Sequence, residues 1–557
     1  MDAEYMDYES EGYTLYEFLE EKAAQHSDLT AISFYGNNVT YPKMLLEIDK
    51  TARALKAYGV KKDDVVASSL PGTPEGIYII YAINKIGARY CAFDCRSKWE
   101  EIEETLRVFT PKLCIVPDFQ LKEFRNEYNH IVVHLNPIRS LGGVIKIPSF
   151  LADIFTGRSG LCITHKNFIS YDSFIKASEL CENVAVKKSS EDIFGYFYTS
   201  GTTYGRKSII LSNENVNAAI IFQKEALGCI EAGESILNIM PLFTCYSVTL
   251  AVHLPLTAGA TVKLIPLIEP KRLKKELVRE KPNYIISVPA HWEYFVKDTF
   301  ENCDLSFIKV AVVGGDVIDK TIEESINKIF KKCGSKAQLT KGYGLSETTS
   351  SATVCVNSHQ KGSVGRPLRN TLVQIWDDST ESFLPPGKKG EICIFGPTVC
   401  RGYFDDRAMT EKLLIRHNDG RVWLHSGDIG YMDEAGYLYF CERKKRMYVR
   451  YDGSKISPYS IEQVIVRCPI VQRCMVSAIR DTDHSHGMCA RALIVLKDGV
   501  NEHKAKEQLN RFYLKYLDQH MVPRETVFVK KLPYTKNGKL DYFIEKTAVL
   551  GNTAIPY

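Results

Sequence analysis

Residues 193–211 read Ile193-Phe194-Gly195-Tyr196-Phe197-Tyr198, then Thr199-Ser200-Gly201-Thr202-Thr203-Tyr204-Gly205-Arg206-Lys207, then Ser208-Ile209-Ile210-Leu211. The first run is apolar and aromatic and predicts a strand, and Lys207 to Leu211 predicts a returning strand. Ser212 and Asn213 supply a cap for a helix over 214–227. Between the strands lie four aliphatic hydroxyls, two glycines and a terminal lysine. Backbone N–H groups and hydroxyls in such a loop can wrap phosphate oxygens, and the lysine adds positive charge. It is not a Walker A loop, which needs GxxxxGK[ST] leading into a helix. A polar hairpin turn has the same composition, because turns favour these residues.

Working outward, strand-like and helix-like segments alternate, which predicts an α/β fold. Val65 to Ser68 reads as a strand, with helical patterns before it (44–58) and after it (74–86). Ile285 to Val288 and Val310 to Val313 read as further short strands, each running into Pro or Gly. Pro270 to Lys281 reads as a helix with Leu273 and Leu277 inward, its lysines and arginine forming a solvated face. Glu442-Arg443-Lys444-Lys445-Arg446 is the strongest boundary signal, because five consecutive charges do not suit a buried strand. The expected organisation is therefore a large N-terminal domain over 1–444 with βαβ-type subdomains. A small α+β domain over 445–557 follows, joined through a linker at this charge run.

The chain has 557 residues, ample for a large core and for two to four domains. Hydrophobic residues make up 45% and charged residues 25%, which excludes disorder, collagen and coiled coil. Charge is nearly balanced at +4, so a globally basic nucleic-acid binder is excluded and no nucleic-acid partner is expected. None of the 16 cysteines forms a CxxC pair, which argues against zinc and for reduced, buried thiols. The acidic N-terminus has the wrong sign for a targeting peptide, and no apolar run reaches the ~20 residues of a membrane span. A cytoplasmic location is expected.

Three further segments carry chemistry. In Lys341-Gly342-Tyr343-Gly344-Leu345-Ser346-Glu347, a tyrosine between glycines offers an aromatic face for a base, Ser346 a phosphate donor and Glu347 a hard oxygen ligand for Mg²⁺. In His425-Ser426-Gly427-Asp428, the aspartate can accept two hydroxyl hydrogens, as from a ribose. Pro533-Tyr534-Thr535-Lys536-Asn537-Gly538-Lys539 places a lysine on a Gly turn late in the chain. Taken singly, each suits an ordinary turn.

Taken together and in this order, the four segments resemble the adenylate-forming superfamily of acyl-CoA synthetases, acyl- and aryl-AMP ligases, firefly-type luciferases and adenylation domains. The resemblance runs from about Thr14 to Asp541 and includes Gly390-Glu391, Gly402-Tyr403, Glu442-Arg443-Lys444-Lys445 and Gly453-Ser454-Lys455. It implies that a carboxylate attacks the α-phosphorus of MgATP, releasing pyrophosphate and leaving an acyl-AMP, which then passes to a thiol. Thr199, Ser200, Gly201, Thr202, Thr203 and Lys207 would hold the β/γ-phosphates. Gly315 and Asp316 would border adenine, Tyr343 between Gly342 and Gly344 would stack on it, and Ser346 would touch the α-phosphate. Glu347 would bind Mg²⁺, Asp428 and Arg443 would hold the ribose, and Lys539 would bridge the carboxylate and the α-phosphate. Lys539, Glu347 and Lys207 are the implied catalytic set, and the resemblance further implies that the small C-terminal domain is mobile about a hinge at Lys445.

Departures from the family pattern are Tyr204 for Gly, Arg206 for Pro, Ser208 for Gly, Ser346 for Thr, Glu442 for Gly, Met488 for Glu and Tyr542 for Arg. The last three touch the small domain and the second half-reaction more than adenylation. Pro241-Leu242-Phe243-Thr244-Cys245-Tyr246 holds no acidic residue, which disfavours an amino acid, since a buried ammonium would lack a partner. With His291, Trp292 and Gly342, Thr244, Cys245 and Tyr246 would line a pocket for a fatty or aryl acid; ordinary packing is the alternative for His291 and Trp292. Three readings stand: a CoA ligase, an acyl-AMP ligase loading a carrier protein's phosphopantetheine, and a non-catalytic nucleotide sensor.

Overall fold

The computed structural model describes residues 7–8, 12–124, 130–141, 167–182, 186, 188–199, 207–228, 230–266, 268–356, 360–484, 486–534 and 540–542. The chain divides into two compact units: the first runs through residue 373 and takes in 394–424, and the second comprises 374–393 and the chain from 425 onward. The second unit thus begins before the expected boundary at 444/445.

Two sheets organise the first unit. Edge to edge, one runs Phe168–Ser170, Ile131–Leu135, Leu113–Pro117, Val65–Ser68, Arg89–Ala92, Ile193–Tyr198 and Ser208–Ser212. All neighbours are parallel except the last pair, which closes as an antiparallel hairpin with Tyr198 opposite Ser208. The other runs Arg366–Pro367, Thr353–Cys355, Leu339–Tyr343, Val310–Val313, Tyr284–Ser287, Ser235–Asn238, Thr261–Leu264, Thr30–Phe34 and Asn37–Thr40. Its central strands are parallel. Val310–Val313 and Tyr284–Ser287 are fully buried, as expected of strands covered on both faces. The expected α/β class is borne out.

Local chemistry sets the element ends. Ser212 accepts from the Asn215 N–H, whose own side chain answers in a capping box, and Gly228 at φ +64 terminates the helix Asn213–Leu227. Leu273 and Leu277 are buried on the short helix Leu273–Glu280, as its spacing predicted.

In the second unit, Val422–Met432 pairs over 428–432 with Leu438–Arg443. A three-stranded sheet of Val471–Arg480, Met488–Leu496 and Glu525–Phe528 packs with the helices Pro458–Ile465 and Glu502–Tyr516 around Ile461, Ile465, Val476, Ile494, Leu509 and Tyr513. The charge run differs from its expected reading as a solvated linker. The strand extends through Glu442, which is buried, and Arg443, and a single turn follows over Lys444–Arg446. Each of Arg443, Lys444 and Arg446 has an acidic partner, which is what lets charge enter an ordered element.

Candidate active site

The strands Ser235–Asn238, Tyr284–Ser287, Val310–Val313 and Leu339–Tyr343 run in one direction and so end at one edge of the nine-stranded sheet. The segments leaving them carry Thr244 to Tyr246, His291, Gly315 and Asp316, and Ser346 and Glu347. The carboxyl edge is where parallel sheets place ligands, because the loops and unpaired backbone groups gather there. A polar cavity of about 710 Å³ lined by Ser33, Tyr35, Ser235, Lys263 and Arg279 lies toward the amino ends of these strands and contains none of the site residues.

The turn after Tyr343 is tightly built. A Cβ on Gly344 would overlap the Ser350 carbonyl, so the glycine is required by close backbone approach. Tyr343 is only 7% exposed, so its ring is covered rather than open as the flanking glycines suggested. The Leu345 N–H donates to Thr348 Oγ1 at 2.9 Å, closing a short turn over Ser346–Thr348. Thr349 then adopts φ +63, ψ −46, and the Ser350 N–H reaches the Thr348 carbonyl at 2.6 Å, a γ-turn. A β-branched residue at positive φ is strained by roughly 1–3 kcal/mol. Two bonds hold it there: Thr349 Oγ1 donates to the Thr398 carbonyl at 2.7 Å, and the Cys400 N–H donates to the Glu347 carbonyl at 2.9 Å.

The ends of the phosphate-type loop are pinned, with the Thr199 N–H donating to the Lys207 carbonyl at 2.8 Å. Ser200, Gly201, Thr202 and Thr203 lie outside the described residues. Residues 401–404 run along the returning strand: Arg401 N–H to the Ile210 carbonyl at 2.9 Å, Ile210 N–H to the Gly402 carbonyl at 2.9 Å, and Phe404 N–H to the Ser208 carbonyl at 2.7 Å. This places Tyr403 between two of the implied catalytic residues. Its hydroxyl donates to Glu347 Oε1 at 2.7 Å, and Lys207 Nζ stands 5.1 Å from its ring centroid. Burial pushes the Tyr403 hydroxyl pKa up, and the neighbouring Glu347 charge pushes it further. The sequence signalled Tyr403 only through the Gly402-Tyr403 pair.

On the proposed acid side, Thr244 Oγ1 donates to the Pro241 carbonyl at 3.0 Å and accepts from the Ser247 N–H at 3.3 Å. It thus caps the following helical segment. Cys245 is buried, and the Tyr246 hydroxyl fills the space a Cβ on Gly314 would enter, 2.7 Å away. His291 Nδ1 lies 2.8 Å from Ser287 Oγ, and burial lowers its pKa to about 4, so it is neutral at pH 7. Trp292 is taken up by the core: it is 0% exposed and meets Phe295 and Phe330 edge to face. Gly315 takes φ +87, and the Asp316 carboxylate accepts from the Val317 N–H at 2.8 Å.

In the second unit, Asp428 Oδ1 lies 3.2 Å from Arg443 Nε, and its N–H donates to Ser426 Oγ at 3.1 Å. Gly427, at φ +70, donates its N–H to Glu391 Oε1 at 2.9 Å. Burial would raise the Glu391 pKa, but hydrogen bonds from His425 (3.1 Å) and Lys444 (3.1 Å) lower it to about 2. Lys444 also reaches Asp378 at 2.5 Å, and Arg446 reaches Glu462 at 2.5 Å. Exposed Lys445 lies between them. Lys539 lies outside the described residues, whose flanks pair Tyr534 with Leu540 and bond the Asp541 N–H to the Pro533 carbonyl at 3.0 Å.

Comparison with known proteins covers the same span. Residues 19–404 match the family described as AMP-binding enzyme, and residues 460–539 match the AMP-binding enzyme C-terminal domain. The chain is 27% identical over 535 residues to a long-chain-fatty-acid–CoA ligase of Bacillus subtilis (strain 168), covering 95% of this chain and 93% of the relative. It is 24% identical over 522 residues to the 4-coumarate–CoA ligase CCL1 of Humulus lupulus, covering 91% and 88%. Among solved structures, the o-succinylbenzoate CoA synthetase of Bacillus subtilis, in complex with its acyl-adenylate intermediate, has the same fold. It aligns with a TM-score of 0.74 at 20% identity, covering 95% of this chain and 97% of that one.

Proposed function

The chain belongs to the AMP-binding enzyme family, and from that premise we propose that it is an AMP-forming acid–thiol ligase that makes an acyl-CoA. One oxygen of a carboxylate attacks the α-phosphorus of ATP; the bond to the β-phosphate oxygen breaks, and pyrophosphate leaves with that electron pair. The CoA sulfur then attacks the acyl carbon, AMP leaves, and the thiol proton goes to solvent. The observation that carries this reading is the convergence of Lys207 and Glu347 on Tyr403 at the carboxyl edge. A cation for phosphate oxygens and a carboxylate for a hard metal stand there on one support.

Mg²⁺ fits this donor set. It keeps several waters and is commonly held by one or two carboxylates plus substrate phosphates. Glu347 is one partly exposed carboxylate, and among the described residues no three His, Cys, Asp or Glu side chains cluster as a protein cage would require. Bound there, the ion would neutralise phosphate charge. The chain's own residues do the rest in this reading. Lys207, with the hydroxyls of Thr199, Ser200, Thr202 and Thr203 and the Gly201 backbone, neutralises the departing pyrophosphate; Ser346 binds the α-phosphate. Gly315 and Asp316 border the adenine, and Tyr343, flanked by Gly342 and Gly344, stacks on it once its covered ring is exposed. Asp428, buried and paired with Arg443, accepts the ribose hydroxyls. Lys539 stabilises charge growing on the α-phosphate, which is electrostatic work.

The acid is proposed to be fatty or aryl, because Thr244, Cys245, Tyr246 and neutral His291 present no charge that would pair an ammonium. The relatives' names span both classes. Cytosolic placement is part of the proposal: among the described residues all fourteen cysteines are free, and no helix there is long and apolar enough to cross a membrane.

The test is pyrophosphate release over a panel of fatty, aryl and amino acids, with CoA or a carrier protein as acceptor. The expected result is pyrophosphate release that depends on a fatty or aryl acid, with AMP release stimulated by CoA. AMP release that depends on acid but ignores CoA would favour carrier loading instead. ATP binding without turnover on any acid would leave the nucleotide-sensor reading.

A further inference from the structure

We propose that Tyr403 is a positioning residue for adenylation, its hydroxyl setting the Glu347 carboxylate and its ring seating the Lys207 ammonium. The proposal rests on the reading of Glu347 and Lys207 given above.

Tyr403 is itself rigidly placed. Backbone bonds from its neighbours tie 401–404 to Ser208 and Ile210, and its own N–H donates to Thr410 Oγ1 at 2.9 Å. Gly402, at φ +114, admits no side chain against Thr410. Phe404, next in sequence, stacks on Phe109 with centroids 4.7 Å apart and meets Tyr196 at 4.8 Å. The chain thus fixes the tyrosine backbone on both sides while leaving the ring partly exposed.

What the ring touches distinguishes this from core packing. A filling tyrosine meets apolar side chains, whereas this one meets a carboxylate through its hydroxyl and an ammonium over its face. Glu347 has three side-chain torsions to order, and a charge-assisted hydrogen bond selects among them before any ligand arrives. A flexible lysine gains a preferred station from the ring quadrupole. Partners that orient a metal ligand typically matter 10- to 100-fold in metal affinity.

The experiment uses the full-length protein and reads binding as well as turnover. Mn²⁺ is titrated into protein and ATP without acid, and free Mn²⁺ is followed by electron paramagnetic resonance. ATP affinity is measured separately in a chelator, so that Lys207 is read without metal. Tyr403→Phe keeps the ring and should weaken Mn²⁺ binding ~10-fold while leaving metal-free ATP affinity within twofold. Tyr403→Leu removes the ring and should weaken metal-free ATP affinity as well. Glu347→Gln, and its double variant with Tyr403→Phe, complete a cycle in which the tyrosine change should add nothing once the carboxylate is gone. Thermal melts accompany each variant, and the isosteric Phe change carries the test if Leu does not fold. Normal Mn²⁺ affinity in Tyr403→Phe, with loss in Glu347→Gln, would overturn the hydroxyl role. Metal-free ATP affinity unchanged in a folded Tyr403→Leu would overturn the ring's role. Normal Mn²⁺ affinity in Glu347→Gln would instead remove the reading of Glu347 on which the proposal rests.

Discussion

Asp428 and Arg443 stand opposite each other in one antiparallel pair, Oδ1 3.2 Å from Nε, the aspartate side chain 1% exposed and the arginine 56% exposed. The buried carboxylate therefore meets, from one side, a cation that still faces solvent. Asp428→Asn keeps the shape and removes the charge. If Asp428 holds the ribose, KM for ATP should rise ~10- to 100-fold, the scale of a hydrogen bond to a charged group. Pyrophosphate-release kinetics at varied ATP check this, and an unchanged KM would take Asp428 out of the nucleotide site.

Lys539→Ala should lower acyl-AMP formation at least ~100-fold, the scale of losing one electrostatic stabiliser of the transition state. Acid-dependent ATP–pyrophosphate exchange measures this step without CoA. Exchange at the normal rate would sink the assignment of Lys539.

The γ-turn at Thr349 makes an unusual stability prediction. Thr349→Ala and Thr349→Gly both lose the bond to the Thr398 carbonyl. Only glycine relieves the positive φ, which costs an L-residue roughly 1–3 kcal/mol. The Gly variant should thus be the more stable of the two, opposite to the usual ranking in regular structure. Urea titration of both reads the order directly.

Two buried histidines set a pH dependence. His253 bonds Tyr81 through Nδ1 and Asn217 through Nε2, both at 2.9 Å, and burial lowers its pKa to about 3. His291 is lowered to about 4 by the same cause. Both are neutral when folded and take up protons on unfolding below about pH 6.5. The stability this confers is fully present above pH 6.5 and declines as pH falls toward 4. Denaturant midpoints measured from pH 7.5 to 4.5 should fall, and less steeply in His291→Asn than in the wild type. Equal slopes would place the titration elsewhere.

Much of this was legible in the sequence because local rules agreed with tertiary ones. Ile193–Tyr198 and Val310–Val313 form strands at the residues their apolar runs predict, and Ser212 caps its helix. The carboxyl-edge convergence follows once the strands are known to be parallel. Three features resisted reading because they depend on partners distant in sequence. Arg443, Lys444 and Arg446 look like a solvated linker until Asp428, Glu391 and Glu462 supply ordered counter-charges around the run. Trp292 has the composition of a pocket wall, and only packing on Phe295 and Phe330 assigns it to the core. Tyr403 acquires its meaning from a strand nearly two hundred residues earlier.

The anchored cations at 444 and 446 have a mechanical consequence. Lys444 is tied to Glu391 and Asp378, and Arg446 to Glu462, and we propose that the chain swivels at the exposed Lys445 between these two anchors. Proline fixes one of the two backbone torsions there. With Lys445→Pro, acyl-AMP formation should proceed near normally while CoA-dependent turnover falls, and Lys445→Gly should spare both; burst and steady-state kinetics would separate the two half-reactions. The freedom of the small domain would then reside at a single α-carbon.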